Sequence, residues 1–486
     1  MPLANIKIEN FKSIKNCIIN ISQKNLFIGE NGSGKSNVLE AINYFYDNLI
    51  HSNVREDIFD ENNHFSNEVR IILDYDISTF INIAKSNINN GSDISTTKYV
   101  GYYKMILSLE GEEESNIISL EMSQIKGKGI KWNYKYETRQ MIKSLFPLFY
   151  IDSRNLDVTE WEYVWDMFEE LGKVSNGERK RLEDEIRCIL INDKNEISKK
   201  IRSIESVLNN SNVSIKRESS KVFARNLIKI FFAGEKIRQN GKNLLYYSTG
   251  TNAVKYIELL LMAADKISKK KLKETIILID EPEISLHHQF IDDLAEVICG
   301  IDNKSNILIA THSSRLTKNI MIGVDELNIY KVKLVSKYTQ INKIKKFMQY
   351  SPRSQYRVTD DHINSYFAKA ILFVEGETEL ELFSNPYLKV LFPFLKKIDV
   401  YKALSDKPVL NIMNPSKIGV DTPYIMLIDM DKVLEYDIDK KQFVLKNEYI
   451  KSREKECYRF RNKKENGTYL LHKYKRIFAS LQCFRI

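Results

Sequence analysis

The hydrophobic positions at the start of the chain follow the pattern of two strands and a helix. Apolar and polar residues alternate from Ile6 to Ile14, and Asn25–Ile28 is a short apolar run that ends at a glycine. From Lys35 to Leu49 the apolar residues recur every three to four positions, which is the period of an amphipathic helix packed on a sheet. This order predicts a strand, a glycine-containing loop and a helix that lies on the sheet.

The middle of the chain predicts short strands followed by a long helical segment. Apolar runs predict strands at Val69–Leu73 and Tyr102–Leu109. From about residue 160 to residue 240 the sequence is charged, and its apolar residues are spaced mainly by three, four or seven. We interpret this segment as an inserted helical arm that protrudes or dimerises, with the turn of a hairpin at residues 192–195; an amphipathic pair on the domain surface is the alternative. The apolar positions are Leu182, Ile186, Ile189, Ile197, Ile201, Ile204 and Leu208.

Alternation of strands and helices resumes after the helical segment and continues into a second, smaller domain. The continuous apolar runs Thr275–Ile279 and Asn306–Ala310 are typical of buried parallel strands. Residues 350–361 predict a domain boundary, because serine, proline, arginine and two aspartates interrupt the pattern there. Beyond this boundary, strands are predicted at Ala370–Val374, Ile398–Tyr401 and Tyr424–Ile428, and a helix begins at Glu377.

Composition places the chain among globular proteins. It has 486 residues, of which 43% are hydrophobic and 28% are charged, and this is enough apolar content for two or three cores. No apolar run approaches the roughly 18 residues that a membrane-spanning helix needs, and the N-terminal residues lack the apolar stretch of a secretory signal. The five cysteines form no CxxC pair. This spacing argues against a zinc site and is typical of a protein in the reducing cytoplasm.

The net charge of +9 is concentrated at the C-terminal end of the chain. Residues 440–486 contain 14 Lys and Arg against 4 Asp and Glu, a net charge of +10, which leaves −1 for residues 1–439. Such a basic segment is typical of contact with a nucleic-acid backbone, and a lysine-rich solvated face is the alternative. DNA is therefore a candidate partner.

A phosphate-binding motif lies between the second predicted strand and the helix. Residues 29–36 read Gly-Glu-Asn-Gly-Ser-Gly-Lys-Ser and fit the pattern GxxxxGKS. The glycines let successive backbone N–H groups face phosphate oxygens, Lys35 can reach the β- and γ-phosphates, and the Ser36 hydroxyl can coordinate Mg²⁺. The motif therefore predicts a site for ATP and Mg²⁺. Its candidate cofactor-binding residues are Asn31, Gly32, Ser33, Gly34, Lys35, Ser36 and Asn37.

Three later segments add candidate contacts to this nucleotide. Asp280 and Glu281 follow an apolar strand, so Asp280 can hold Mg²⁺ and Glu281 can polarise the attacking water as the catalytic base. His312 follows the next strand and can hydrogen-bond the γ-phosphate. Ser248 and Gly250 precede a helix whose free N–H groups can also meet a phosphate, and a plain helix cap is the alternative interpretation.

The order of these motifs resembles that of an ABC-type ATPase. A phosphate loop, a small-residue helix cap, an Asp-Glu strand and a histidine strand follow one another, and the resemblance implies that Ser248 and Gly250 reach across a homodimer to the partner's nucleotide. The wide gap between Lys35 and Ser248 resembles the RecF and SMC branch rather than a transporter. The segments Ile8–Ile14 and Asp280–Glu283 also look like that branch.

Two acidic clusters predict a second site. Glu375 to Glu379 read Glu-Gly-Glu-Thr-Glu directly after one predicted strand, and Asp429-Met430-Asp431 directly follow another. Carboxylates at the ends of two strands can converge on Mg²⁺ or Mn²⁺, because hard cations prefer oxygen ligands. The pair of clusters resembles a Toprim domain. That resemblance implies that Glu375, Glu379, Asp429 and Asp431 bind metal and that Glu375, Asp429 and Asp431 are the catalytic carboxylates for phosphodiester cleavage.

An ABC-type ATPase followed by Toprim resembles the overcoming-lysogenization-defect (OLD) family of nucleases, over roughly residues 1–435. The resemblance implies an ATP-hydrolysing, metal-dependent DNA endonuclease, an anti-phage role, and a retron reverse transcriptase or another defence component as a partner. The chain departs from the pattern at Ala403–Pro415, which lacks an expected glycine, and Lys432 is only a candidate for the catalytic lysine. The alternatives are a RecF-like or SMC-like DNA-repair ATPase that does not cut DNA, and a signalling or scaffold ATPase.

The sequence thus predicts an α/β protein. Its fold is an ABC-type P-loop ATPase with an inserted helical arm, followed by a Toprim α/β domain and a short basic C-terminal segment, and it has no membrane partner. The predicted limits are 1–159 and 241–350 for the two parts of the ATPase, 160–240 for the arm, 361–439 for the Toprim domain and 440–486 for the basic segment.

Overall fold

The chain folds into two compact units, one of residues 1–367 with 412–421 and one of residues 368–411 with 422–486. The second unit begins later than the boundary drawn from the sequence, and residues 412–421 return to the first unit. The computed structural model describes residues 2–60, 67–89, 100–109, 116–155, 161–172, 176–190, 196–211, 215–216, 218–234, 236–271, 273–284, 286–301, 305–346, 358–402, 407–427, 434–437 and 442–445.

The strands of both units belong to five sheets. They are β1 Leu3–Phe11, β2 Ile14–Asn20, β3 Lys24–Ile28, β4 Glu68–Asp76, β5 Ile117–Ile125, β6 Ile130–Trp132, β7 Leu148–Asp152, β8 Arg238–Gln239, β9 Lys242–Asn243, β10 Ile276–Asp280, β11 Asn306–Thr311, β12 Leu327–Val335, β13 Tyr338–Ile344, β14 Ile371–Val374, β15 Asp399–Lys402, β16 Tyr424–Met426, β17 Leu434–Asp437 and β18 Gln442–Leu445.

Helices connect most of these strands. They are α1 Lys35–Asn48, α2 Ser78–Asn89, α3 Val100–Leu109, α4 Tyr136–Leu145, α5 Glu162–Gly172, α6 Asn176–Leu190, α7 Glu196–Asn210, α8 Ser220–Phe231, α9 Thr249–Lys271, α10 His288–Gly300, α11 Ser314–Gly323, α12 Asp360–Asn364, α13 Glu377–Ser384, α14 Pro386–Leu391, α15 Lys407–Met413 and α16 Pro415–Ile418, with 3₁₀ helices at Leu244–Tyr246 and Pro393–Lys397. Within the described ranges, none of the helices has both the length and the apolar character that crossing a membrane requires.

The centre of the first unit is a six-stranded sheet in the order β13-β12-β3-β11-β10-β7. Its strands run parallel except for β13, which pairs antiparallel with β12 at the edge. The runs predicted as buried parallel strands are confirmed as β10 and β11, and the predicted helix after β3 is confirmed as α1. Because the strands are parallel, the C-terminal ends of β3, β11, β10 and β7 meet at one edge of the sheet.

Both faces of this sheet are buried, and β10 shows how. Ile276 and Leu278 belong to a cluster that also contains α1 and the five-stranded antiparallel sheet β2-β1-β4-β5-β6. Ile277 and Ile279 belong to a second cluster with residues of α9, α10 and α11. All four side chains are buried. Successive side chains of a strand point to opposite faces, so a continuously apolar strand requires helices or another sheet on both sides.

The strand predicted at Tyr102–Leu109 is wrong, because residues 100–109 form α3. Helix α3 contacts α2, and Ile106 is buried in the first cluster with Tyr102 and Met105 packed at its border. These positions are spaced by three and four, which puts them on one face of a helix. A short apolar run fits both the two-residue period of a strand and the 3.6-residue period of a helix. The element against which it packs therefore decides between the two.

The described parts of residues 160–240 are mainly helical, as the spacing predicts, and contain α5 to α8 followed by the short strand β8. Helix α5 packs against α9 and α8, with Val164 and Met167 buried in the second cluster. Part of the segment assigned to the arm therefore belongs to the core. Ile189, Ile201, Ile204 and Val207 on α6 and α7 are exposed. The hairpin turn predicted at residues 192–195 lies outside the described residues.

The second unit contains a three-stranded parallel sheet in the order β15-β14-β16. Its strands lie where the sequence predicts them, and α13 begins at Glu377 as expected. Strand β14 is central, so its C-terminal end is adjacent to that of β16. Apart from β18, the basic segment of residues 440–486 lies outside the described residues.

Candidate nucleotide-binding site

The phosphate-binding motif forms a tight loop between β3 and α1. Gly34 has φ 99°, and a Cβ atom there would lie 2.0 Å from Thr339 Oγ1. A Cβ atom on Gly29 would lie 2.1 Å from the carbonyl oxygen of Val332. These positions need glycine because the loop approaches β12 and β13 more closely than any side chain permits. Asn31 and Gly32 are exposed at the tip of the loop.

A chain of hydrogen bonds holds the loop from behind. Asn37 Nδ2 donates to Ser13 Oγ at 2.7 Å, the hydroxyls of Ser13 and Thr339 lie 2.6 Å apart, and Thr339 Oγ1 donates to the Ser33 carbonyl at 3.1 Å. The Thr339 N–H also donates to the Ser13 carbonyl at 2.8 Å. Asn37 was assigned to the nucleotide from the sequence. In the structure its amide instead contacts the turn between β1 and β2, because its place on α1 faces that turn.

Lys35 is buried within the loop that it is expected to serve. Its Nζ donates to the carbonyl oxygens of Gly29 and Glu30, each at 2.9 Å. Burial lowers the pKa of Lys35, while nearby carboxylates, chiefly that of Glu281, act in the opposite direction. The ammonium group is therefore held by carbonyl oxygens, which a phosphate can replace with stronger, charge-assisted hydrogen bonds.

The carboxylate of Asp280 joins three elements at this edge. Its side chain is fully buried. Ser36 Oγ on α1 donates to Oδ1 at 3.1 Å, and Arg154 Nη2, just after β7, donates to Oδ2 at 2.6 Å. Burial raises the pKa of Asp280 to about 6, although both of these partners oppose the shift. A hydroxyl and a carboxylate within hydrogen-bonding distance of each other are oxygen donors of the kind that Mg²⁺ prefers, so they fit the metal of a nucleotide.

Glu281 has an unusual backbone conformation. Its φ is 48°, which is uncommon for a residue with a side chain. The conformation is held by a hydrogen bond from its N–H to the Ala310 carbonyl at 2.8 Å and another from the Ile284 N–H to its own carbonyl at 3.1 Å. Strain of this kind is tolerated where the surrounding structure enforces it, and it is concentrated at functional sites.

Glu283 fixes the loop that carries His312. Its Oε1 accepts hydrogen bonds from Thr311 Oγ1 at 2.7 Å, from the His312 N–H at 2.7 Å and from the Ser313 N–H at 3.1 Å. His312 Nδ1 lies 3.0 Å from the same oxygen, and the imidazole is partly exposed. The buried carboxylate therefore sets the position of the histidine relative to the ends of β10 and β11.

Ser248 caps α9. Its Oγ accepts a hydrogen bond from the Thr251 N–H at 3.2 Å and lies 2.8 Å from Thr251 Oγ1. Ser248 is exposed and Gly250 is buried. Among the described residues, the hydrogen bonds of the Ser248 side chain are to Thr251 and not to the phosphate loop. Completion of the ATP site by a second chain stays a prediction.

Sequence reasoning missed several residues of this site. It did not recognise β7, and so it passed over Asp152 and Arg154, although an apolar run followed by an acidic residue is the same signal that identified β10. Glu283 was noted only as part of a family resemblance. Thr339 and Ser13 carry no local signal, because their contact is created by the pairing of distant strands.

The second predicted site is described in part. Glu375 directly follows β14 and is 9% exposed. Glu379 was expected to face the same metals, but its Oε2 accepts a hydrogen bond from the Gly376 N–H at 3.0 Å and caps α13, since a helix start has free N–H groups that an acidic residue at this position can satisfy. Asp429 and Asp431, with Lys432, lie outside the described residues. Within the described ranges, no three His, Cys, Asp or Glu side chains are grouped so that they hold a metal.

The Thr339→Val substitution keeps the side-chain volume and removes the hydroxyl from the hydrogen-bond chain behind the loop. We expect ATP affinity to fall roughly fivefold, because each buried hydrogen bond contributes about 1 kcal/mol to the conformation that it holds. Titration with a fluorescent ATP analogue measures the effect. Thr339→Ser is the matched control and should bind as the parent does; equal affinity in Thr339→Val and parent would contradict the bracing role.

The raised pKa of Asp280 makes stability depend on pH. The pKa is 3.8 for an ordinary aspartate and about 6 here, so ionisation costs the folded state free energy that the unfolded chain does not lose. Without nucleotide, the parent should lose up to about 3 kcal/mol relative to Asp280→Asn as pH rises from about 4 to above 6, and the difference should then stay constant. Urea unfolding in EDTA measures it. A pH-independent difference would show that the carboxylate is not penalised by burial.

The chain is similar to several known proteins. Residues 1–317 match a family model described as an AAA ATPase domain. Endonuclease GajA of Bacillus cereus (strain VD045) is 24% identical over 428 residues, which are 79% of this chain and 67% of the relative, and this match confirms the resemblance drawn from the motifs. The SMC head domain from Thermotoga maritima aligns with 71% of this chain and all of its own at 13% identity and a TM-score of 0.37. The Smc head domain bound to the C-terminal domain of ScpA, derived from Pyrococcus furiosus, aligns with 74% of this chain and all of its own at 12% identity and a TM-score of 0.42. Because the family model covers more than half of the chain and its phosphate loop is formed in the structure, this protein belongs to the AAA ATPase domain family.

Proposed function

We propose that this protein is an ATP-hydrolysing, divalent-metal-dependent DNA endonuclease of the OLD type. The observation that carries the proposal is the similarity to Endonuclease GajA, which covers 79% of the chain. The ATPase match ends at residue 317, so the similarity to the endonuclease includes residues C-terminal to the ATPase domain. The second unit is therefore the part of the chain to which we assign DNA cleavage.

The ATPase half of the proposal assigns a task to each side chain at the sheet edge. Lys35 exchanges its carbonyl partners for the β- and γ-phosphates, and Glu281 accepts a proton from the attacking water. Ser36 and Asp280 hold the divalent cation, which would neutralise the charge of the phosphates. Glu283 holds His312 at the end of β11, and we assign His312 to the γ-phosphate. These assignments follow from groups that already lie at the C-terminal ends of neighbouring parallel strands.

A second copy of the chain completes the nucleotide site in this proposal. Ser248 is exposed at the N-terminal end of α9, where its hydroxyl caps the Thr251 N–H. The N-terminal end of a helix attracts anions. The first helical turn of α9 can therefore bind a phosphate presented by another protomer. Hydrolysis then depends on homodimer formation, and ATP binding stabilises the dimer.

The nuclease half of the proposal rests on the pairing of β14 with β16. Their parallel register places Phe373 beside Met426, so Glu375 and the residues that follow β16 leave the sheet at the same edge. Asp429 and Asp431 follow β16 in the sequence. We assign Glu375, Asp429 and Asp431 to the binding of one or two divalent cations, which would assist cleavage of a phosphodiester bond. We assign the basic residues 440–486 to contacts with the DNA backbone. An antiviral role with a further defence component is part of the same proposal.

One observation favours a second candidate, an ATPase of the RecF or SMC kind that binds DNA without cutting it. The Glu379 carboxylate caps α13 by accepting a hydrogen bond from the Gly376 N–H, so this bond competes with metal binding. A site that lacks this ligand would still bind DNA through the basic segment. Direct assay of cleavage decides between the two candidates.

Glu375→Gln should abolish Mg²⁺- or Mn²⁺-dependent DNA cutting and leave ATP hydrolysis unchanged, because the two reactions are assigned to separate units. Plasmid nicking and phosphate release measure the two activities on the same preparation. Glu377→Gln is the matched control, since Glu377 is two residues away, exposed and ion-paired with Lys402 at 2.5 Å; it should cut normally. If both variants cut DNA normally, or if both lose cutting, the result would not support a specific role for Glu375.

Glu281→Gln should bind ATP with nearly parental affinity and hydrolyse it at least about 100-fold more slowly, because it removes the proposed base without changing side-chain size. Phosphate release and nucleotide titration separate the two effects. A variant with parental turnover would show that another group activates the water. Lys35→Ala is the reference for loss of binding.

A further inference from the structure

Arg154 lies between two carboxylates at the edge of the sheet. Its Nε is 3.0 Å from Asp152 Oδ1, and its Nη2 is 2.6 Å from Asp280 Oδ2. Asp152 and Asp280 are paired residues of the neighbouring strands β7 and β10. The Arg154 side chain is 44% exposed, whereas the Asp280 side chain is fully buried. The guanidinium therefore covers the buried carboxylate from the solvent side.

Binding of a metal-nucleotide complex changes what Arg154 can contact. The two oxygens of Asp280 are both occupied, Oδ1 by Ser36 and Oδ2 by Arg154. A divalent cation held by Ser36 and Asp280 would place two further positive charges beside the guanidinium. One carboxylate stabilises the guanidinium less well when it also binds a divalent cation. The two positive groups, both next to Asp280, also repel each other. Binding of the cation is therefore expected to break the ion pair between Arg154 and Asp280.

Arg154 does not leave the site, because Asp152 anchors it. The Asp152 Oδ1 accepts hydrogen bonds from both the Nε and the backbone N–H of Arg154, the latter at 3.1 Å. Asp152 is itself held by Asn155 Nδ2 at 2.8 Å. This anchor fixes the base of the guanidinium. Nη2 is only weakly held by Asp152, whose Oδ2 lies 3.4 Å away, so it can exchange Asp280 for a new acceptor.

The new acceptor is the terminal phosphate of ATP. Ser36 follows Lys35 in the first turn of α1, and the Asp280 carboxylate accepts hydrogen bonds from both the Ser36 hydroxyl and Arg154 Nη2. A guanidinium matches phosphate oxygens through two parallel hydrogen bonds. We propose that Arg154 is a γ-phosphate sensor. In the nucleotide-free protein its guanidinium pairs with the Asp280 carboxylate. When ATP and its cation bind, the guanidinium leaves Asp280 and pairs with the terminal phosphate. ADP, which lacks this phosphate, leaves the exchange incomplete.

The test is a comparison of nucleotide affinities in the full chain. A non-hydrolysable ATP analogue and ADP are titrated, each with Mg²⁺, against the parent and Arg154→Ala. We expect Arg154→Ala to lose affinity for the ATP analogue by on the order of tenfold or more, as for a charge-assisted hydrogen bond, while its affinity for ADP changes little. The selectivity for ATP over ADP therefore falls. In EDTA the two proteins should differ less, because Arg154 then stays on Asp280.

Arg225→Ala is the matched control. Arg225 also pairs with two carboxylates, those of Asp166 at 3.0 Å and Glu169, but it lies on α8. It should keep the parental ratio of the two affinities. Arg154→Gln retains a planar donor for Asp152 and gives the same comparison if the alanine variant does not fold. Equal losses for ATP analogue and ADP would assign Arg154 a purely structural role, and unchanged affinities would exclude a contact with either nucleotide.

Discussion

The buried carboxylate of Asp280 is the interaction on which the site depends. A carboxylate without solvent is costly unless hydrogen bonds compensate it, and here Ser36 and Arg154 supply them from α1 and from the end of β7. The phosphate loop, β10 and β7 are therefore held together through one side chain. The burial that raises its pKa to about 6 also makes the carboxylate a strong ligand for any cation that replaces these donors. The residues around Asp280 therefore fit a divalent cation bound with a nucleotide.

A second layer of contacts keeps the reactive groups in place. Glu283 holds three donors around His312, and Thr339 ties the phosphate loop to the turn that contains Ser13. We assign neither residue to a direct contact with the nucleotide. Their effect is to remove freedom from the groups that do, so that little reorganisation is needed when ATP binds. The left-handed backbone of Glu281 belongs to the same arrangement, because the hydrogen bond to Ala310 enforces it.

Like the first unit, the second unit has an acidic residue at the C-terminal end of a parallel strand. Strand β14 is central in a small parallel sheet, and a nearly buried glutamate leaves its C-terminal end. In the first unit, parallel strands bring Asp152 and Asp280 from separate parts of the chain to one edge. In the second unit, Glu375 follows β14 at the corresponding edge. Catalytic groups collect there because that edge is the part of a parallel sheet that the connecting helices leave open.

The sequence determined the elements that have one dominant local signal. Strand β10 is continuously apolar, α1 has a clear helical period, and the phosphate loop needs glycines at fixed positions; these features were predicted correctly. Ser36 and Asp280 lie within hydrogen-bonding distance of each other, and their roles toward ATP and Mg²⁺, like that of Lys35, stay predictions. Where two periods fit a short run, as in α3, the packing partner decided the outcome. Local sequence was also ambiguous for Glu379, because an acidic residue near the start of a helix can either bind a metal or cap the helix.

Only the tertiary structure determined which distant residues meet. Ser13 and Thr339 are 326 positions apart, and Arg154 and Asp280 are 126 positions apart. Their contacts depend on the order of the strands in the sheet, which the periodicity of each single strand does not encode. The sequence by itself therefore determined that a phosphate loop, an acidic strand end and a histidine strand exist. The fold decided that an arginine after β7 covers the buried aspartate and that a threonine on β13 braces the loop, because strand pairing places these residues at the same edge.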